Sequence, residues 1–128
     1  MKAPAVSPCL GVSDTQATCD FYEKIGFTAL PAGDDPNDDL RILLFEGEFA
    51  LMVFRDEHLR GWLPVLRNTP VGAFGMFYLA VDDFDTYVER IRPLVTVTKD
   101  VTEAKGQKVF YFTDADGYVI GVTQKQTW

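Results

Sequence analysis

The residues able to do chemistry are few, and their spacing argues against most familiar sites. The 128-residue chain holds one histidine, His58, and two cysteines, Cys9 and Cys19. A catalytic divalent metal with open positions needs about three protein ligands from His, Asp or Glu. A nucleophilic cysteine needs a basic partner, and the pattern puts no histidine beside Cys9. There is no Gly-x-Ser-x-Gly elbow, no phosphate-binding glycine loop and no Cys-x-x-Cys pair. The densest acidic run, Asp34, Asp35, Asp38 and Asp39, is not a calcium loop: the position twelve along from Asp34 is Phe45, and no glycine takes the sixth. It reads as a solvated turn able to attract positive charge. His58 stands next to Arg55, Asp56 and Glu57 as either a general base or an exposed loop side chain.

Composition narrows the class. Hydrophobic residues make up 47% and aromatics 13%, enough for one packed core at this length. The net charge of −7 opposes nucleic-acid binding, which needs a basic face, and it opposes an anionic membrane surface. No apolar run is long enough to span a bilayer. The opening residues lack the apolar region of a signal peptide, so a cytoplasmic setting is expected. Two cysteines are too few for a disulfide framework.

The elements that must position any site follow from periodicity. Residues 6–12 alternate, with Val6, Leu10 and Val12 on one side and Ser7, Cys9 and Gly11 on the other. Ser13 or Asp14 caps a helix whose apolar face is read as Ala17, Phe21 and Ile25, and Gly26 stops it. Strands are expected at 27–31, 40–45 and 49–54, the last two joined by a hairpin at Glu46-Gly47-Glu48. Residues 57–69 read as a long connection. A strand over 74–81 follows, carrying Phe77, Leu79 and Val81 on one face and Met76, Tyr78 and Ala80 on the other. Asp82 or Asp83 caps a helix with Phe84, Tyr87, Val88 and Ile91 in one stripe, ended by Pro93. A short strand near 95–98, a loop through Lys105-Gly106-Gln107 and strands 108–113 and 118–123 complete the chain, with a turn at Asp114-Ala115-Asp116-Gly117.

The order of elements repeats. Leu10-Gly11-Val12-Ser13-Asp14 aligns with Leu79-Ala80-Val81-Asp82-Asp83 at a constant offset of 69 residues. The expectation is therefore an α+β fold. It is one domain over 1–128 built from two tandem βαβββ units, about 1–56 and 70–128, whose curved mixed sheets enclose a cavity.

At this point the sequence resembles the vicinal oxygen chelate superfamily, which contains glyoxalase I, extradiol dioxygenases, fosfomycin-resistance enzymes and bleomycin-resistance proteins. Three segments carry the resemblance: residues 8–14 with Asp20-Phe21-Tyr22-Glu23-Lys24-Ile25-Gly26-Phe27, then Tyr78-Leu79-Ala80-Val81-Asp82-Asp83-Phe84-Asp85, then residues 110–120 around the Asp-Ala-Asp-Gly turn. Together they span nearly the whole chain in the family's order. The resemblance implies metal ligands on the first and last strands of each half. The positions that match the first-strand ligands are Ser7 and Met76, and the closing glutamate's position is Gly121. The fourth would lie on strand 49–54 among Ala50, Met52 and Phe54. None is His, Asp or Glu, so no metal and no other cofactor is expected.

Without a metal, the chain is most similar in character to the bleomycin-resistance branch: short, acidic, with a proline on the first strand at Pro8. What this implies is a metal-free protein that binds a small aromatic or cationic molecule, as in sequestration of an antibiotic or toxic metabolite, and that forms a homodimer. The expected ligand-binding residues are Ser7, Cys9, Phe54, Trp62, Met76, Tyr78, Tyr111 and Gly121, small residues leaving room and aromatics supplying stacking and cation–π surfaces. No catalytic residue is expected. Two alternatives stand beside this: a superfamily enzyme of lyase, isomerase or dioxygenase type with an atypical metal or metal-free site, and a protein-interaction domain with a filled cavity. Aromatics on alternate strand positions usually fill cores, which is the expectation for Phe77 and Phe112.

Overall fold

The computed structural model describes residues 4–35, 38–72 and 75–126. The chain divides into two compact units, Met1–Val71 and Gly72–Trp128. In chain order the first holds β1 (Cys9–Val12), α1 (Thr15–Lys24), β2 (Phe27–Pro31), β3 (Arg41–Phe45), β4 (Glu48–Arg55) and α2 (Asp56–Trp62). The second holds β5 (Met76–Val81), α3 (Phe84–Ile91), β6 (Thr96–Ala104), β7 (Gln107–Thr113) and β8 (Val119–Gln124). Each unit has one four-stranded sheet, ordered β1-β4-β3-β2 and β5-β8-β7-β6, with its first and last strands parallel and the rest antiparallel. The repeated βαβββ order is thus present, and the fold is α+β with two mixed sheets and no closed barrel.

In the first unit, Asp14 caps α1 by accepting a hydrogen bond from the Ala17 amide at 3.0 Å. Gly26 takes φ 107° just past its end. The buried face of α1 corrects the expected one. It is Thr15, Thr18, Cys19 and Tyr22, while Ala17 is exposed and Phe21 half-buried. Steps of four residues drift around a helix by about 40° each, so the i, i+3, i+4, i+7 set wins. Two threonines join the core with their hydroxyl oxygens buried. Ile25 is buried just after the helix. Tyr22 packs edge-on to Phe27 at 5.1 Å, over Leu43, Leu51 and Val53 of the sheet. Pro31 is tolerated because β2 is an edge strand.

Two further expectations change here. The first strand begins at Cys9, not at residue 6, so Ser7 lies ahead of it. Its pairing starts at Cys9 opposite Met52, with the Met52 amide donating to the Pro8 carbonyl at 2.8 Å. The connection after β4, read as a long one with one helical turn, opens with the helix α2 and holds a further 3-10 turn at Pro64–Leu66. Asp56 and Glu57 sit at its positive end, and Arg60 pairs with Asp56 one turn on at 2.8 Å. The Arg60 guanidinium also donates to the carbonyls of Arg67 and Thr69, which ties the following chain to the helix.

In the second unit the stripe Phe84, Tyr87, Val88 and Ile91 is buried as expected. Asp83 caps α3 through the Thr86 amide at 3.1 Å. It covers a sheet face made of Leu79, Val81, Phe110, Phe112, Ile120 and Val122. The strand expected at 95–98 runs on to residue 104. Lys105 and Gly106 both take positive φ, 54° and 76°, forming the tight turn that joins β6 to β7 as a hairpin. Strand β6 is an edge. Register shifts and the charged residues Lys99, Asp100 and Glu103 along it oppose pairing with other chains. Among the described residues no helix is long and apolar enough to cross a membrane.

The β7–β8 turn rests on Asp114. Its buried carboxylate accepts from the amides of Asp116 at 2.9 Å and Tyr118 at 3.0 Å. Hydrogen bonds to a charged acceptor contribute about 1.5–3 kcal/mol each. Asp114→Ala should therefore destabilise folding by about 2–4 kcal/mol in urea denaturation, and Asp116→Ala by much less. Equal small losses would show that the turn holds without the carboxylate.

Candidate functional site

Alternation along β5, β7 and β8 sends every second side chain to the face away from α3. Register then sets three of these in one row: Tyr78 lies opposite Gly121, and Gly121 opposite Tyr111. The next row is Ala80, Thr123 and Val109. Gly121 is buried beneath its neighbours. A methyl group there would stand 2.9 Å from Met76 Cε and 3.0 Å from the Tyr78 ring. Met76 and Tyr78 thus lean over the glycine, while Tyr78 keeps 61% of its surface exposed. Four of the expected binding residues, Met76, Tyr78, Tyr111 and Gly121, come together on this face.

Beside them opens a hollow of about 470 Å³, within the range of small-molecule sites. Tyr78, Ala80, Val109 and Thr123 form its floor, and Gln107, Gln124, Lys125 and Gln126 its rim. The Gln124 amide is committed to structure. It accepts from the Phe84 amide at 3.0 Å and donates to the Val81 and Asp82 carbonyls at 3.2 and 2.6 Å. The alternation along β5 puts Ala80 on this face as expected, while Val109 and Gln107 were not expected there. Both follow from Tyr111 by the period of two. Lys125 and Gln126 lie beyond the last strand, where no periodicity reaches.

The other expected residues lie in the first unit. Ser7 and Cys9 are exposed. Crowding around Cys9 nevertheless disfavours its thiolate and raises its pKa, and burial does the same at Cys19, partly offset by the Arg41 charge. Neither is an activated nucleophile. Phe54 and Trp62 do meet, with ring centroids 5.2 Å apart. Phe54 is buried and Trp62 is 74% exposed at the end of α2. His58 belongs to α2 rather than to a loop. Its Nδ1 lies 3.3 Å from Asp39 Oδ1, and its ring is 5.6 Å from that of Phe54. In this first unit Gly11 lies close to α2: a Cβ there would stand 2.8 Å from Asp56 Oδ1, the oxygen that accepts from Arg60.

The donor set at the positions matching the family's metal ligands is a hydroxyl at Ser7, a thioether at Met76 and no side chain at Gly121. This set does not fit a divalent cation, which takes imidazole, carboxylate or thiolate. Among the described residues no group of three or more His, Cys, Asp or Glu side chains stands together to hold a metal.

Gly121→Ala should leave folding stability within about 1 kcal/mol. Its new methyl meets only the end of a flexible thioether and an exposed ring, and the gain in chain stiffness offsets part of the crowding. It should shift the Tyr78 ring resonances in NMR spectra. An unmoved Tyr78, or a loss above about 3 kcal/mol, would mean that the packing over Gly121 is not as described.

The family model described as Glyoxalase/Bleomycin resistance protein/Dioxygenase superfamily matches residues 5–122. No curated protein matches the chain in sequence. Among solved structures, a protein from the mobile metagenome of V. Pseudocholerae is 25% identical with a TM-score of 0.72, covering 99% of this chain and 98% of that one. A bleomycin-binding protein complexed with bleomycin is 17% identical with a TM-score of 0.66, covering 97% and 100%. A genomically encoded fosfomycin resistance protein from Listeria monocytogenes is 16% identical with a TM-score of 0.69, covering 98% and 96%.

Proposed function

The chain belongs to the glyoxalase/bleomycin resistance protein/dioxygenase superfamily, and from that premise we propose that it binds a small aromatic or cationic molecule without a metal, as a sequestering protein for an antibiotic or toxic metabolite. One observation carries this reading. The helix-free face of the second sheet presents an exposed tyrosine beside a hollow of ligand size. Exposing an aromatic ring forgoes the burial that would stabilise the fold, and a ligand that stacks on it recovers that term. The missing imidazoles and carboxylates support the metal-free part. The chain's charge of −7 and its likeness in fold to a bleomycin-binding protein support a cationic ligand. A cytoplasmic homodimer belongs to the same proposal, supported by two unpaired thiols and by sheets that end in edge strands.

A second reading is an enzyme of the same superfamily with a metal-free site. The hydrogen bond between Asp39 and His58 favours it, because a carboxylate that fixes one imidazole nitrogen leaves the other to accept a proton.

A thermal-shift panel separates these. Bleomycin and flat aromatic drugs should raise the melting temperature by on the order of 10 °C at about 100 times Kd. Zinc, manganese and dialysis against a chelator should leave it unchanged. A metal that copurifies, or a chelator that lowers the melting temperature, overturns the metal-free reading. Absence of any drug shift overturns sequestration of such compounds.

A further inference from the structure

The charge of the hollow differs from that of the chain around it. The whole protein carries −7, yet among the described residues that line the hollow there is no carboxylate, and the only charged group is Lys125. Its Nζ lies 3.6 Å from Asp82 Oδ1, and both side chains are more than half exposed. An exposed pair of this kind is weak and readily exchanged, so the ammonium is available to a ligand at little cost. The Gln124 amide commits both of its donors and one acceptor site to three backbone partners and serves as fixed wall. The Gln107 amide and the Thr123 hydroxyl remain as neutral donors and acceptors at the edge of an apolar floor formed by Tyr78, Ala80 and Val109.

We propose that this hollow selects a flat aromatic molecule bearing a negative group, an aromatic acid, and discriminates against a cation of the same shape. The inference rests on the reading that this face binds a small aromatic ligand; it takes the aromatic arm of that reading and stands against the cationic arm, so tight binding of a cationic drug at this face would overturn it. The ring stacks on Tyr78 above the gap left by Gly121. The anionic group reaches Lys125, with Gln107 and Thr123 completing its hydrogen bonds. A cationic isostere would meet the Lys125 ammonium and would have to displace it from Asp82, the carboxylate it pairs with, which is not among the lining residues. At long range the protein's net charge opposes anions and favours cations, so the preference must come from this one side chain. Its removal should therefore erase the preference.

The test is calorimetric titration of the full chain with three probes of one shape: 2-naphthoate, 2-naphthol and 2-naphthylmethylammonium. Naphthoate should bind on the order of tenfold more tightly than the ammonium, with naphthol between them. Lys125→Gln should remove that order while leaving naphthol unchanged. Tyr78→Ala should weaken all three. If the ammonium binds as tightly as naphthoate, or more so, while Tyr78→Ala still weakens binding, the charge inference fails and the binding face stands. If no probe responds to Tyr78→Ala, the binding face fails and the inference with it.

Discussion

In each unit the helix after the first strand, α1 or α3, covers one face of the sheet, and the side chains obey a period of two. In the second unit Phe110, Phe112, Ile120 and Val122 point to α3 and are buried. Each contributes about 1.5–3 kcal/mol by leaving water. A slip of one residue would expose all four and bury Val109, Tyr111, Gly121 and Thr123 instead, so the register is fixed by a margin far larger than any single contact. The face away from α3 is the remainder of that choice. Its rows across β5, β8 and β7 are aligned because the apolar rows behind them are.

Glycine then marks where the two units part ways. At the equivalent position on the first strand, the first unit has Gly11 and the second has Ala80. In the first, α2 packs against β1 at that point, and a side chain there would crowd the Asp56 carboxylate that pairs with Arg60. The second has no helix there, and Ala80 floors the hollow. Gly121 does a different job. It has no strained backbone to accommodate, and its missing side chain is filled from both sides by Met76 and Tyr78. In the family resemblance this is the place of a metal-binding glutamate. Here the same place supports an aromatic platform.

The sequence was most legible where one physical rule dominates. The internal repeat, the capping aspartates Asp14 and Asp83, the stripe of α3 and the grouping of Met76, Tyr78, Tyr111 and Gly121 on one face all follow from periodicity and capping. It was least legible where rules compete. Thr15 and Thr18 sit in the core although their type suggests surface. Strand β6 continues through Lys99, Asp100 and Glu103 because an edge strand can carry charge on both sides. Helix α2 forms through Gly61, a poor helix residue, because its acidic first turn and the Asp56–Arg60 pair offset that cost. The rim residues Lys125 and Gln126 carry no pattern at all. Ser7 and Cys9, expected with the others from strand alternation, and Phe54 and Trp62, expected there as aromatics, belong to the first unit.

The central claim is that the helix-free face of the second sheet is where a ligand rests. Titration of the isotopically labelled protein with 2-naphthol, a neutral probe, tests it through amide chemical shifts. The account predicts that the largest changes fall on Tyr78, Tyr111, Gly121 and Thr123. Changes centred on Phe54, His58 and Trp62, with those four unmoved, would contradict it.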